Sequence, residues 1–109
     1  MSKLRRRVFI VNDSGHDFSA AERYGDLVTM SEGPLDKFNL TAMRRVFDQF
    51  LQASNPGDFI LHSGPGVMNA LACSIFASLH GRLNLLLYRA DSKAGDHYVA
   101  RKLVLRRKD

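Results

Sequence analysis

Hydrophobic positions along the chain change period several times, and each change marks an element. Val8-Phe9-Ile10-Val11 is a short apolar run stopped by Asn12-Asp13-Ser14-Gly15, the pattern of a buried strand. Leu27 to Met30 is a second such run, closed by Glu32-Gly33-Pro34. Between the two, Ser19-Ala20-Ala21-Glu22 matches a capping box and predicts a short helix ending at Gly25. The period then lengthens. Leu40, Met43, Val46, Phe47, Phe50 and Leu51 recur at helical spacing, and Arg44, Arg45, Asp48, Gln49 and Gln52 occupy the other face. Asn39 stands where a helix cap belongs, and Asn55-Pro56-Gly57 stops the helix.

The second half is more apolar. Asp58 to His62 predicts a third strand, and Gly66 to His80 a helix that is apolar nearly all round. Such a helix is expected to be buried on more than one side. Gly81 suits its C-terminal glycine position. Leu83 to Tyr88 and Tyr98 to Leu105 predict the last two strands, joined by a loop short enough for an antiparallel return. Alternation of this kind predicts a single α/β domain over residues 1–109. The expected architecture has three layers: a mainly parallel sheet of about five strands, helices on both faces, and an antiparallel C-terminal edge strand.

Composition narrows this picture. With 109 residues, 45% of them apolar and 25% charged, the chain has the make-up of one globular domain with a modest core. Cys73 is the only cysteine, which excludes an internal disulfide and a cysteine-rich zinc site. It falls in the apolar helix, as a small core residue would. No apolar run is long enough to span a membrane. The basic start, Lys3 to Arg7, precedes an apolar run far too short for a signal peptide, so a cytoplasmic location is expected. The net charge is +5, but residues 8–100 hold seven Lys/Arg against ten Asp/Glu. The positive excess therefore comes from the two ends.

Ligands of parallel sheets bind beyond the carboxyl ends of the strands, and polar residues collect there. After the first strand come Asn12, Asp13, Ser14, His16 and Asp17. After the third come His62, Ser63, Gly64, Pro65 and Gly66, with Asn69 one turn into the helix. After the fourth come Arg89, Asp91, Ser92, Lys93, Asp96 and His97. The glycine turn at 62–66 opens a helix, and backbone N–H groups at a helix N-terminus favour an anion. The expected ligand is therefore small, anionic and nucleotide-like, contacted by Asn12, Asp13, His16, Ser63, Gly64, Gly66, Asn69, Arg89 and Lys93. His62 is the candidate for phosphoester hydrolysis, as general acid or hydrogen-bond donor. The turn has neither the Gly-Lys-Ser/Thr of a Walker loop nor a full Gly-x-Gly-x-x-Gly. No two histidines have a close helical ligand spacing, so no metal site is assigned and the cofactor stays open.

The alternative is a non-enzymatic adaptor or inhibitor, in which the glycine turn only shapes the chain. Its contact surface would be the basic ends, with Arg5, Arg6, Arg7, Arg106, Arg107 and Lys108 on nucleic acid. No aromatic interleaves these residues to stack on bases. Free edges of so small a sheet also allow a homodimer.

Ser63 to Leu71 resembles the Ser-Gly-Pro-Gly-x-x-Asn segment of thiamine-diphosphate enzymes over fewer than ten residues, without the two larger domains that enclose that cofactor. In size, and in His62-Ser63 between a strand and a helix, the chain is similar to small viral ring nucleases of the anti-CRISPR type. That resemblance would imply cleavage of cyclic oligoadenylates. The pattern Gly-His-x-Ser-Thr of that family is not reproduced, because Leu61 precedes His62 and Gly-Pro-Gly follows Ser63.

Overall fold

The computed structural model describes residues 5–90 and 97–106. Five strands and two α-helices follow one another as β1 (Arg7–Ile10), β2 (Asp26–Thr29), α1 (Leu40–Leu51), β3 (Phe59–Leu61), α2 (Gly66–His80), β4 (Arg82–Arg89) and β5 (His97–Val104). A 3₁₀ helix, Ser19–Tyr24, lies between β1 and β2. The strands form one sheet in the order β2-β1-β3-β4-β5. Pairs β1/β2, β1/β3 and β3/β4 are parallel, and β4/β5 is antiparallel.

The expected elements are present, with two corrections to the architecture. The sheet is mixed rather than mainly parallel. Its longest ladder is the antiparallel one, which runs from Arg82↔Val104 to Arg89↔His97, whereas β3 meets β4 only at Ile60↔Leu85 and Leu61↔Leu86. Nor do α-helices cover both faces. Met43, Phe47 and Leu51 of α1 join Met68, Ala72 and Phe76 of α2 in one core with Phe9, Val11 and Ile60. The other face, built on Val8, Ile10, Phe59, Leu61 and Leu86, is closed by Phe18, Ala21 and the partly buried Tyr24.

Connection handedness explains the division. The chain steps one way from β1 to β2 and then the other way from β2 to β3 and β4. Right-handed crossovers put steps of opposite direction on opposite faces. The connection from β1 to β2 carries a 3₁₀ helix in place of an α-helix. It is preceded by Phe18 without a side-chain cap, so the capping box expected at Ser19 does not form. The Ser19 N–H instead goes to Asp17 Oδ1 at 2.9 Å.

The helix ends follow local chemistry more closely. Asn39 caps α1 through its side chain, accepting from the Ala42 N–H at 3.1 Å. Gly81 ends α2 in the left-handed conformation, at φ 67°. α1 meets α2 where the Ser54 hydroxyl donates to the Leu51 carbonyl and lies 2.8 Å from His80 Nε2. That hydroxyl hydrogen is already committed, so His80 Nε2 carries the proton of the second bond.

Candidate functional site

The strand order reverses direction at β1, so the carboxyl ends of β1 and β3 flank a topological switch point, where open α/β sheets leave a crevice. A cleft of about 560 Å³ lies there, lined by Asn12, Asp13, Ser14, Gly33, Pro34, Leu35, Lys37, Gly64, Pro65 and Met68. Three loops converge on it: those after β1, β2 and β3.

The walls are held by hydrogen bonds that begin and end within the chain. Asn69 is buried, and its Oδ1 accepts from the Ser63 N–H at 3.0 Å. Its Nδ2 donates to the carbonyls of Ser63 at 2.8 Å and Pro65 at 2.9 Å. The glycine turn is thus tied to the first turn of α2 by one side chain. Asn12 does the same between loops. Its Nδ2 donates to Ser31 Oγ at 3.0 Å and to the Gly33 carbonyl at 2.9 Å, and its backbone N–H donates to Ser63 Oγ at 3.2 Å. Among the described residues no buried side-chain polar atom lacks a partner.

Gly64 and Gly66 have different roles in this frame. Gly64 has φ +79°, and a Cβ on it would sit 2.7 Å from the Asn12 Cβ. The fold itself demands glycine there. A Cβ on Gly66 would meet nothing within 4 Å. Gly66 is the first residue of α2; the Met68 N–H already donates to the Pro65 carbonyl at 3.1 Å, which leaves the N–H groups of Gly66 and Val67 as those without an acceptor inside the helix.

The residues singled out from sequence divide into three groups. Asn12, Asp13 and Gly64 line the cleft, and Ser63 and Asn69 brace its wall from behind. Asp13 Oδ1 accepts from the Gly15 N–H at 2.8 Å, and its backbone bonds to Ser31 and Gly33. His62, Gly66, His16 and Arg89 are exposed and outside the lining. His62 is anchored by its N–H to the Leu86 carbonyl, and the His16 ring stands edge-on to Phe18 at 6.3 Å. Lys93 lies outside the described residues, as do Asp91, Asp96, Arg107 and Lys108.

Lys37 is the residue that sequence reasoning missed, with Gly33, Pro34 and Leu35 beside it. The rule that gathered the loops after strands one, three and four applies equally to strand two, and Glu32-Gly33-Pro34 marks that loop. Lys37 is the only Lys or Arg among the lining residues.

The basic edge is less free than its composition implies. Arg5 pairs with Asp26 at 2.7 Å. Arg7 reaches Asp58, which is buried and also accepts from the N–H groups of Arg7 and Asn55. A second Arg7 nitrogen donates to the Ala53 carbonyl. Arg106 and Leu105 donate their N–H groups to the Gly81 carbonyl, which closes the β4–β5 hairpin.

Few side chains have shifted acidities. Burial holds the His80 imidazole below its ordinary value, partly opposed by the Asp58 charge. Burial raises the Cys73 thiol, which leaves it protonated at neutral pH. Burial and then the Asp17 charge raise Tyr98, whereas the Ser19 N–H lowers exposed Asp17. Among the described residues no cluster of three His, Cys, Asp or Glu could hold a metal ion, and no helix is long and apolar enough to cross a membrane.

Residues 6–101 match the model of the family described as phage Pam3 gp32-like protein. No curated protein and no solved structure matches the chain.

Proposed function

The chain belongs to the phage Pam3 gp32-like protein family, and we propose that it binds a small anionic, nucleotide-like ligand in the cleft at its switch point. The observation that carries this reading is the meeting of Lys37 with Gly64, Pro65 and Met68, which bracket the start of α2, in one cleft of about 560 Å³. Lys37 and the first N–H groups of α2 would receive phosphate oxygens. Leu35, Pro34 and Pro65 would cover an apolar or aromatic ring, and Asp13 would accept from hydroxyl or amino groups.

The frame of Asn12, Ser63 and Asn69 supports the reading in a different way. Its donors are committed internally, so these side chains would fix the geometry of the turn and leave recognition to the backbone. We place the binding in the cytoplasm of a host cell. Phosphoester hydrolysis coupled to binding would draw its proton from His62, which follows β3 and is exposed.

The test is thermal denaturation of the full chain against ATP, GTP, cyclic dinucleotides, cyclic oligoadenylates and inorganic phosphate. A ligand at about 100 times its dissociation constant stabilises the native state by roughly 2.7 kcal/mol, which raises Tm by several degrees in a domain of this size. The expected shift is lost in Lys37→Glu and kept in His62→Ala. No shift with any of these compounds overturns the reading.

A further inference from the structure

The β4–β5 hairpin carries a surface that a ligand in the cleft does not use. Directly opposed residues of an antiparallel pair share a face. Leu83↔Leu103, Leu85↔Arg101 and Leu87↔Val99 therefore line the face on which α1 and α2 lie. Helix α2 packs on β4, but among the described residues neither α-helix packs on β5 to a comparable extent. Leu103 is left 57% exposed, with Leu79 at 40% and Leu87 at 37%. The helix predicted to be buried on more than one side thus borders an uncovered apolar lane.

The charge of this half is one-sided. From Gly66 to Ala90 and from His97 to Arg106 there is no Asp or Glu, against Arg82, Arg89, Arg101, Lys102 and Arg106. Arg101 stands in the middle of the lane and makes no ion pair among the described residues. Arg89 shares its face at one end, and Arg106 reaches the Ser78 carbonyl of α2 at the other. Exposed leucines among guanidinium groups that have no carboxylate partner among the described residues ask for carboxylates and apolar side chains together.

We propose that this lane is a docking site for a partner protein, which presents an acidic amphipathic helix to it. The helix would take the place of the third α-helix that this face of the sheet lacks. An eight-residue strand such as β5 is about 27 Å long, the length of a helix of about 18 residues. Such a helix would bury its apolar stripe on Leu79, Leu87 and Leu103 and set its flanking carboxylates against Arg89, Arg101 and Arg106.

Other occupants fit less well. A two-fold related copy would bring the same cations to the lane and no carboxylate from α2, β4 or β5. A nucleic acid would find aliphatic leucines where single-strand binders place stacking aromatics. A bilayer is flat, whereas α2 rises beside the lane by about the 10 Å diameter of a helix.

The experiment uses the full chain and fluorescent peptides as probes: an amphipathic Glu/Leu helix, its Lys/Leu counterpart, an oligonucleotide, and vesicles containing phosphatidylserine. In fluorescence anisotropy the Glu/Leu peptide is expected to bind, more weakly as salt is added, and the Lys/Leu peptide not. Leu103→Glu and Arg101→Glu should each weaken binding by about tenfold or more with Tm unchanged, and Leu87→Glu provides a second apolar probe. Failure of the Glu/Leu peptide to bind, or equal binding of the two peptides, overturns the proposal. So does preference for the oligonucleotide or the vesicles, or a dimer that Leu103→Glu dissociates.

Discussion

The wall of the cleft and the lane on the β4–β5 hairpin invert the usual guide to function. In the cleft wall the polar side chains most suggestive of a ligand, Asn12, Ser63 and Asn69, are buried and bonded to the chain itself. On the hairpin the leucines most suggestive of a core are exposed. A buried amide that satisfies two loop carbonyls and a loop N–H is a structural element, whereas an exposed leucine beside an arginine with no ion pair among the described residues is a surface awaiting contact. Residue type alone does not separate the two cases; the partner of each group does.

The sharpest way to break this comparison is Gly64→Ala. A left-handed backbone and a Cβ 2.7 Å from Asn12 should together cost about 3 kcal/mol in urea unfolding. Asn69→Ala comes next. It leaves the Ser63 N–H without its acceptor, with an expected loss of about 2 kcal/mol. If either variant kept full stability and lost only ligand binding, the cleft wall would be a recognition surface after all. Gly66→Ala should do the reverse, because its site is open and alanine favours a helix. Stability is expected to stay level or rise by about 0.5 kcal/mol, while any ligand seated on the helix start is displaced. Leu103→Glu should change stability least, within about 0.5 kcal/mol. A large loss there would show that the lane is core and not surface.

A pH series sharpens the same contrast at the α1–α2 contact. The His80 value is lowered in the folded state by burial. Its contribution is therefore complete above the ordinary imidazole value of about 6.5 and is lost as pH falls through the lower, folded value. Stability measured from pH 7 to pH 5 should decline. His80→Gln should flatten that decline.

Most of the fold was legible because period and punctuation agree. The Asn39 cap, the α1 face through Met43, Phe47 and Leu51, and the Gly81 stop all stand where the pattern puts them. The segment at Ser19 misled because a capping box describes a helix start and not a helix length. Between β1 and β2 the six residues Ser19–Tyr24 form a 3₁₀ helix and not an α-helix. In the site, His62 and Gly64 were visible as a motif, but Lys37 was not, since only the sheet order brings the loop after β2 against the turn after β3. The lane was hidden for a related reason. A uniformly apolar helix reads as buried on every side, and the sequence does not show that the layer beside it has no further helix.

The interior position of β1, one strand in from the edge, bears on how the protein is made. Its neighbours are β2 and β3, and the buried Asp58 that receives the Arg7 N–H stands 51 residues further along the chain. A ribosome therefore delivers β1 first and its second partner much later. One side of β1 stays unzipped until α1 and β3 have emerged. The antiparallel β4–β5 pair, joined by nearby residues, needs no such wait. Long-range pairing slows folding, so a nascent chain halted before Phe59 would hold an open β1 edge, a natural foothold for a chaperone.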